Sequence, residues 1–391
     1  LREAPQVSIV LPTYNRPGDV QETLAQIRAN VSVPHEVLVL DNSERPTDMN
    51  LCEDERCLFV GRNEGTAARN RGIQRARAPF LLMLDDDSHP LPGSLEAALP
   101  ALESAPPTVA GLLGNVSRRN GSLESTLLPT TLLGCGVLFR SDVLRRLPYA
   151  YPHGFCFYGE EYFVTMALYR DGYTLDACAD LKILHRCSDV GRDRETIFYR
   201  LGRNNSAVWQ KFTPVRYLEQ VLYDTIRRYE HIADREGVRT AFDRGLAESL
   251  APEGPVTPLP DDRFRAFSLL DRFEAVAEQC RSHRGVVLCG TGKFPSLWAQ
   301  ALRADGIAHI CMSDFNPALI GRSFKDWEVL APEQAVAAAK HGYKFVTGHA
   351  SSSDNLRWRQ LLAAHQVPSA SVFPVMETDI EHHKEPESQA A

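Results

Sequence analysis

Long apolar runs are missing from this 391-residue sequence. None approaches the roughly 20 residues that a bilayer-spanning helix needs, and the N-terminus lacks a signal-peptide pattern. The expected location is cytoplasmic, with peripheral contact at the inner face of a membrane left open. An excess of basic charge is missing as well. A net charge of -7 gives no general attraction toward nucleic acid or anionic lipid, so no nucleic-acid partner is expected. The nine cysteines lack paired metal-ligand spacing: Cys52 and Cys57 lie close together but have no second pair, which argues against zinc. Cys135, Cys289 and Cys311 sit in apolar segments and read as reduced core residues. The chain contains no Tyr-x-x-x-Lys pair, so the acid-base machinery of short-chain dehydrogenases and epimerases is absent.

What is present is strand-helix alternation with polar groups gathered at the strand ends. The run Leu81-Leu82-Met83-Leu84 is apolar enough for a strand covered on both faces, and it stops in Asp85-Asp86-Asp87. On an extended backbone Asp85 and Asp87 project to one side, and hard oxygen ligands suit magnesium or manganese arriving with a phosphate. A solvated acidic turn fits the triplet alone equally well. Upstream, Val7 to Leu11 reads as a strand entering Pro12-Thr13-Tyr14-Asn15-Arg16, and a helix follows from about Val20 to Asn30. Glu36 to Leu40 is a second strand, ending at Asp41. Arg62-Asn63-Glu64-Gly65 then leads into a helical stretch from Thr66 to Ala76. Open α/β sheets bind ligands at such strand ends.

Over residues 5–215 these ordered motifs resemble the family 2 glycosyltransferases. The resemblance implies a GT-A fold, a nucleotide-diphospho-sugar donor and inversion at the anomeric carbon, with Mn2+ or Mg2+ as cofactor. Pro12, Thr13, Tyr14 and Asn15 look like the family's first nucleotide-binding loop, and Asp41 matches the acid that contacts the base. Arg62, Asn63, Gly65 and Arg69 match the segment that closes over the nucleotide. Asp85, Asp86 and Asp87 fall where the Asp-x-Asp motif belongs, which implies Asp85 near the ribose and Asp87 on the metal. Gly134, Cys135 and Gly136 resemble the small-residue segment beneath donor sugar and acceptor. Glu160 and Glu161 lie where the family places its catalytic base; Glu161 is the expected base, although the family has Asp at the second position. The structural alternative is that one of the pair only starts a helix, whose dipole favours acids in its first turn. His185 implies a further metal or diphosphate contact, and Arg203, in Arg203-Asn204-Asn205, a basic group facing the diphosphate.

Beyond this region, Val215, Leu218, Val221, Leu222 and Ile226 recur at helical spacing. Packing against the catalytic domain is expected, with a membrane-surface helix as the alternative. A Pro-rich linker spans residues 251–260. The last third resumes α/β alternation: a strand Val286 to Cys289, a turn Gly290-Thr291-Gly292, a helix Phe294 to Arg303, a strand Ile307 to Met312 and Asp314 at its end. Pro295 stands where a dinucleotide fingerprint has its third glycine, so the motif is weak. The expected fold class is therefore α/β: a GT-A nucleotide-sugar-binding domain (1–212), a helical extension with linker (213–262) and a smaller Rossmann-like domain (263–391) used for structure, docking or self-association. The expected function is metal-dependent sugar transfer, with UDP the first candidate nucleotide, to a hydroxyl of a carbohydrate, glycolipid or small molecule. The competing readings are a bifunctional enzyme whose C-terminal domain binds a dinucleotide, and a non-catalytic nucleotide-sugar-binding scaffold.

Overall fold

The computed structural model describes residues 3–187, 193–249 and 254–372. Ser188, residues 251–253 of the Pro-rich linker and Phe373, all covered by sequence expectations, lie outside them. Two sheets are present, as the alternation predicts. The first contains β1 (Val7–Thr13), β2 (His35–Asp41), β3 (Glu55–Phe59), β4 (Phe80–Met83), β5 (Ser88–Pro90), β6 (Val109–Arg118), β7 (Val137–Arg140) and β8 (Thr174–His185), in the order β3-β2-β1-β4-β7-β6-β8-β5. Strands β3, β2, β1 and β4 run parallel, so Thr13, Asp41 and the residues after Met83 emerge at one edge. Every residue of β1 and β4 is buried, as continuous apolar runs require in a sheet covered on both faces.

One local expectation changes. Asp85–Asp87 do not continue the strand: the backbone turns, with Ser88 N–H donating to Asp85 O at 3.1 Å and Ser88 Oγ accepting from Asp85 N–H at 2.9 Å. The turn feeds β5, which pairs antiparallel with β8 in the register Ser88↔His185. That register, with Arg186 N–H donating to Asp87 O at 2.9 Å, brings His185 to the acid triplet from 98 residues away in sequence, as counted from Asp87.

The second sheet holds β9 (Gly285–Cys289), β10 (Ile310–Ser313), β11 (Ser323–Phe324), β12 (Trp327–Leu330), β13 (Tyr343–Thr347) and β14 (Ser369–Ser371), in the order β11-β12-β10-β9-β13-β14. All its pairs are parallel except the β11–β12 hairpin. The chain reverses direction across the sheet at β9, a doubly wound arrangement. The hairpin and two helices, Asp261–Phe267 and Leu270–Cys280, have no counterpart in the sequence reading.

Between the sheets lie the helices Arg194–Phe212, Val215–Glu236 and Arg239–Ala247. The periodic helix Val215–Glu236 is packed inward through Val221, Asp224, Arg228 and His231 while Val215 stays exposed. Its neighbours include the helices Arg194–Phe212, Arg239–Ala247 and Pro295–Ala304, so it packs against the N-terminal region and also bridges to the second sheet. One apolar cluster runs without a break from Val10 and Met83 through Trp209 and Phe264 to Trp298 and Val346, while a second covers the opposite face of the first sheet. Residues 254–260 are irregular, as their prolines dictate, and are pinned by Thr257 N–H to Lys211 O and Leu259 N–H to Phe212 O. No helix among the described residues is long and apolar enough to cross a membrane.

Candidate active site

The edge where β1, β2 and β4 end opens into a cavity of about 680 Å³. Each acid of the triplet has a different partner. Asp85 accepts from Arg69 Nη2 at 2.6 Å, and Arg69 is fully buried, stacked 5.4 Å from the Tyr151 ring. Asp86 accepts from Thr13 Oγ1 at 2.7 Å and Arg16 Nη1 at 2.7 Å. Burial nevertheless lifts its carboxyl to about 7, against the pull of Arg16 and Thr13. Asp87 meets Arg16 Nη2 at 3.1 Å and His185 Nε2 at 3.0 Å. The middle acid therefore anchors the β1 loop, while Asp85, Asp87 and His185 converge with their ligand atoms within 4.8 Å of one another.

His185 is held from behind. Its Nδ1 lies 3.0 Å from Glu124 Oε1, which also accepts from Arg118 Nε at 2.8 Å and Cys187 Sγ at 3.1 Å. Burial would lower the imidazole's pKa, but hydrogen bonds to Asp87 and Glu124 outweigh it and raise it to about 11. The same contacts, led by His185 once burial is overcome, drop Glu124 to about 2. A carboxylate on Nδ1 fixes the ring, and a cation would take the place of the Nε2 proton now shared with Asp87, the usual arrangement around metal-bound histidine. Two carboxylates and one imidazole fit Mn2+ or Mg2+. Glu124, Cys187 and His185 form a second convergent group that shares the imidazole.

The acid pair enters from the opposite wall, at the start of the helix Glu160–Arg170. Glu160 is buried and its Oε2 has no hydrogen-bond partner; burial and the adjacent Glu161 push its pKa well up. Glu161 is part-buried and accepts from Gly159 N–H at 3.1 Å; burial raises it too. A Cβ built on Gly134 would sit 3.9 Å from both Asp85 Oδ2 and Glu161 Oε1. Glycine at this position thus leaves no side chain beside the Asp85 and Glu161 carboxylates.

The loop before the pair is under backbone strain at Cys156 and Tyr158, both with positive φ, while Gly159 takes φ +90 at the end of it without that cost. Asn204 holds it, donating from Nδ2 to the carbonyls of Phe155, Phe157 and Tyr158 at 3.1, 2.9 and 2.7 Å. On the other side Thr66 N–H and Oγ1 donate to Cys156 O at 2.8 and 3.0 Å. Gly65 allows that approach, since a Cβ there would stand 2.3 Å from the same oxygen.

Most of the residues singled out by sequence converge here: Pro12, Thr13, Tyr14, Asn15, Asn63, Gly65, Arg69, Asp85, Asp86, Asp87, Gly134, Cys135, Glu160, Glu161 and His185 all line the cavity. Four do not. Asp41 is buried, its oxygens accepting from the N–H groups of Ser43 and Thr47 at 3.0 and 2.8 Å, and Asn42 lines the cavity in its place. Arg62 is exposed and paired with Glu64 at 2.7 Å. Gly136 lies inside the sheet, where a Cβ would meet Val116 at 2.8 Å. Arg203 points away, donating to Gly154 O at 2.8 Å, and Arg200, one turn earlier, faces the cavity. The helical phase decides this: Asp193, Thr196, Ile197 and Arg200 recur at offsets of three and four on the lining face. That spacing was a legible signal for Arg200. Glu124 and Arg118 had none, being polar residues around a turn with no motif.

In the second sheet the corresponding glycine turn is closed. A Cβ on Gly290 would stand 2.6 Å from Ala350, and one on Gly292 2.5 Å from Trp298. Asp314 is used by the turn itself, accepting from Thr291 N–H and Oγ1 at 2.8 and 2.7 Å and from Asn316 N–H at 2.8 Å. The N-terminus of the helix Pro295–Ala304, where a Rossmann site would hold its pyrophosphate, carries the Asp224 carboxylate, which accepts from Ser296 and Leu297 N–H at 3.2 and 3.1 Å.

Parts of the chain are similar to known proteins. An uncharacterized glycosyltransferase, YwdF, of Bacillus subtilis (strain 168) is 30% identical over 105 residues, covering 26% of this chain and 39% of the relative. An uncharacterized glycosyltransferase of Haemophilus influenzae is 31% identical over 113 residues, covering 26% of this chain and 35% of the relative. The chain thus spans well under half the length of these curated relatives. Among solved structures, Staphylococcus aureus TarS 1-349 in complex with UDP-GlcNAc aligns with a TM-score of 0.47 at 17% identity, over 77% of this chain and 88% of that one. The mannosyltransferase PcManGT from Pyrobaculum calidifontis in complex with GDP-Man and Mn2+ aligns with a TM-score of 0.40 at 18% identity, over 77% and 87%. Residues 8–148 match the family profile "Glycosyl transferase family 2", so this segment of the chain is similar to that family.

Proposed function

We propose that the cavity binds a nucleoside-diphosphate sugar together with a divalent ion and transfers the sugar, with inversion, to an acceptor hydroxyl. Asp87, His185 and Asp85 would hold the ion, whose contribution is to offset the charge that develops on the departing diphosphate. Arg16 and Arg69 hold the carboxylates in place, and Glu124 orients His185. Glu161 accepts the proton of the attacking hydroxyl; a base so placed contributes on the order of 10²–10⁴ in rate. Glu160 keeps its proton, being the more buried of the pair, so a single negative charge is available at the mouth. Arg69 Nε and Nη1 and Glu160 Oε2, all buried and unpartnered, are groups that a bound polar ligand or water would satisfy.

The observation that carries this reading is the opposition of Asp85 and Glu161 across Gly134. It supports a reading in which a metal side and a base side share one side-chain-free surface, as an in-line displacement at a sugar carbon requires. The order nucleotide domain 1–212, helical extension 213–262 and C-terminal α/β unit 263–391 belongs to the same proposal. UDP is the first nucleotide to try, with dTDP and GDP beside it. Titration calorimetry of the protein with each, with and without Mn2+, should show metal-dependent binding of one nucleotide, and the metal dependence should vanish in Asp87→Ala. No binding of any of the three under either condition would sink the donor-site assignment and leave a scaffold role.

A further inference from the structure

The C-terminal glycine turn places a lysine in the interior. Lys293, directly after Gly292, is fully buried, and its Nζ lies 4.4 Å from the Tyr162 ring centroid, 4.9 Å from Tyr229 and 5.4 Å from Trp209. Its nearest hydrogen-bond partner is Tyr229 Oη at 3.5 Å. Three aromatic faces around one ammonium form a recognition cage for a cation. The cage belongs to other parts of the fold: Tyr229 and Trp209 come from the bridging helices, and Tyr162 is the residue after Glu161 in the first turn of the acid-bearing helix.

The turn that delivers the lysine is built for the purpose. Gly292 has φ +57, which other residues rarely adopt, and Arg228 clamps the turn by donating to Thr291 Oγ1 at 2.6 Å and Gly292 O at 3.1 Å. Asp224, on the same face of the same helix, caps the helix that follows. Burying an amine with no carboxylate bonded to it is costly, and packing alone would be served as well by methionine or leucine. Burial, seconded by Arg228, pushes the Lys293 pKa well down, and the carboxylate whose charge acts in the opposite direction is Glu161.

We infer that Lys293 is a positioning residue for the acid pair: the C-terminal α/β unit uses its glycine turn to insert an amine into the Tyr162–Trp209–Tyr229 cage, whose Tyr162 directly follows Glu161 on its helix, and turnover depends on that insertion whereas nucleotide binding does not. The inference rests on the reading of Glu161 as the base. It assigns the C-terminal unit a role in the reaction without giving it a ligand of its own.

Lys293→Met keeps the length and removes the amine. With UDP, dTDP or GDP, according to which the unaltered full-length protein binds with Mn2+, the variant should bind within twofold of wild type and melt cooperatively. Release of that nucleoside diphosphate from its sugar donors should fall at least tenfold in kcat with KM little changed, and Lys293→Arg should recover part of the loss. Wild-type kcat in Lys293→Met would overturn the inference, as would parallel loss of nucleotide binding and turnover, which would make Lys293 a structural peg. If Lys293→Met does not fold, Lys293→Gln, neutral and polar, is read by the same criteria. Glu161→Gln separates the two layers: full turnover in it removes the base reading and this inference with it, whereas loss in Glu161→Gln beside full activity in Lys293→Met removes only the inference.

Discussion

At the ends of β1 and β4, carboxylates held by arginines face a cavity, whereas at the end of β9 the turn of the second sheet is filled by Ala350, His349 and Trp298. Both places have parallel strands, glycine and an acid, the elements from which nucleotide sites are made. They differ in where the acid finds its donors. Asp314 is satisfied by the N–H groups of its own turn and of the adjacent one, and Asp224 supplies the anion that the next helix N-terminus would otherwise seek. Asp85 and Asp87 are bonded to side chains from other elements and remain turned toward open space. An acid consumed by local backbone makes a turn; an acid held by distant side chains at a cavity wall is available to a ligand.

The contrast can be broken most forcefully at Glu161, the proposed base. Glu161→Gln should lower turnover by about 10²–10⁴ with nucleotide binding and melting temperature unchanged, as kinetics beside calorimetry would show. The two glycines then give opposite outcomes. At Gly134 a methyl fits at ordinary contact distance, 3.9 Å from Asp85 and Glu161, so Gly134→Ala should fold normally, yet misplacing the reactants by about 1 Å costs on the order of 10² in rate. Gly290→Ala meets Ala350 at 2.6 Å with φ +96, and should lose about 1–3 kcal/mol of stability in denaturant titrations while nucleotide affinity stays put. Equal behaviour of the two would erase the distinction drawn here.

Glu124→Gln tests the support behind His185. Loss of an outer partner of a metal-binding histidine costs about 10–100-fold in metal affinity, to be measured as the Mn2+ concentration needed for nucleotide binding. The smallest effect concerns pH and the closed turn. Burial holds His349, whose Nε2 donates to Gly290 O at 2.7 Å, at about 4 against an ordinary 6.5, with Asp314 pulling the other way. A depressed pKa means that the folded state prefers neutral imidazole. Its stabilising contribution is therefore present above about pH 6.5 and is lost as pH falls toward 4. His231 is lowered to about 4 for the same main reason, so His349→Gln should flatten only part of the fall in denaturation midpoint between pH 7 and pH 4. An unchanged pH profile would count against the closed turn as a source of stability.

The sequence by itself determined the strands whose residues are all apolar, the helices with strong periodicity and the short motifs at the strand ends. These are local properties: β1, β4 and β9 are legible because both faces of each are buried, and the helix Glu160–Arg170 because its acids and Gly172 mark its ends. Most of the site could be read for the same reason, since its residues cluster in short segments. Tertiary structure decided which side chains of those segments face inward. It turned Asp41 and Arg203 to structural bonds and put Asn42 and Arg200 on the cavity, because backbone donors and helical phase fix the direction of a side chain whatever its chemistry. It also brought Glu124 to His185 and Lys293 to Tyr162 across 61 and 131 residues of sequence, pairings fixed by the β6–β8 register and by the packing of the bridging helix, which no local pattern encodes.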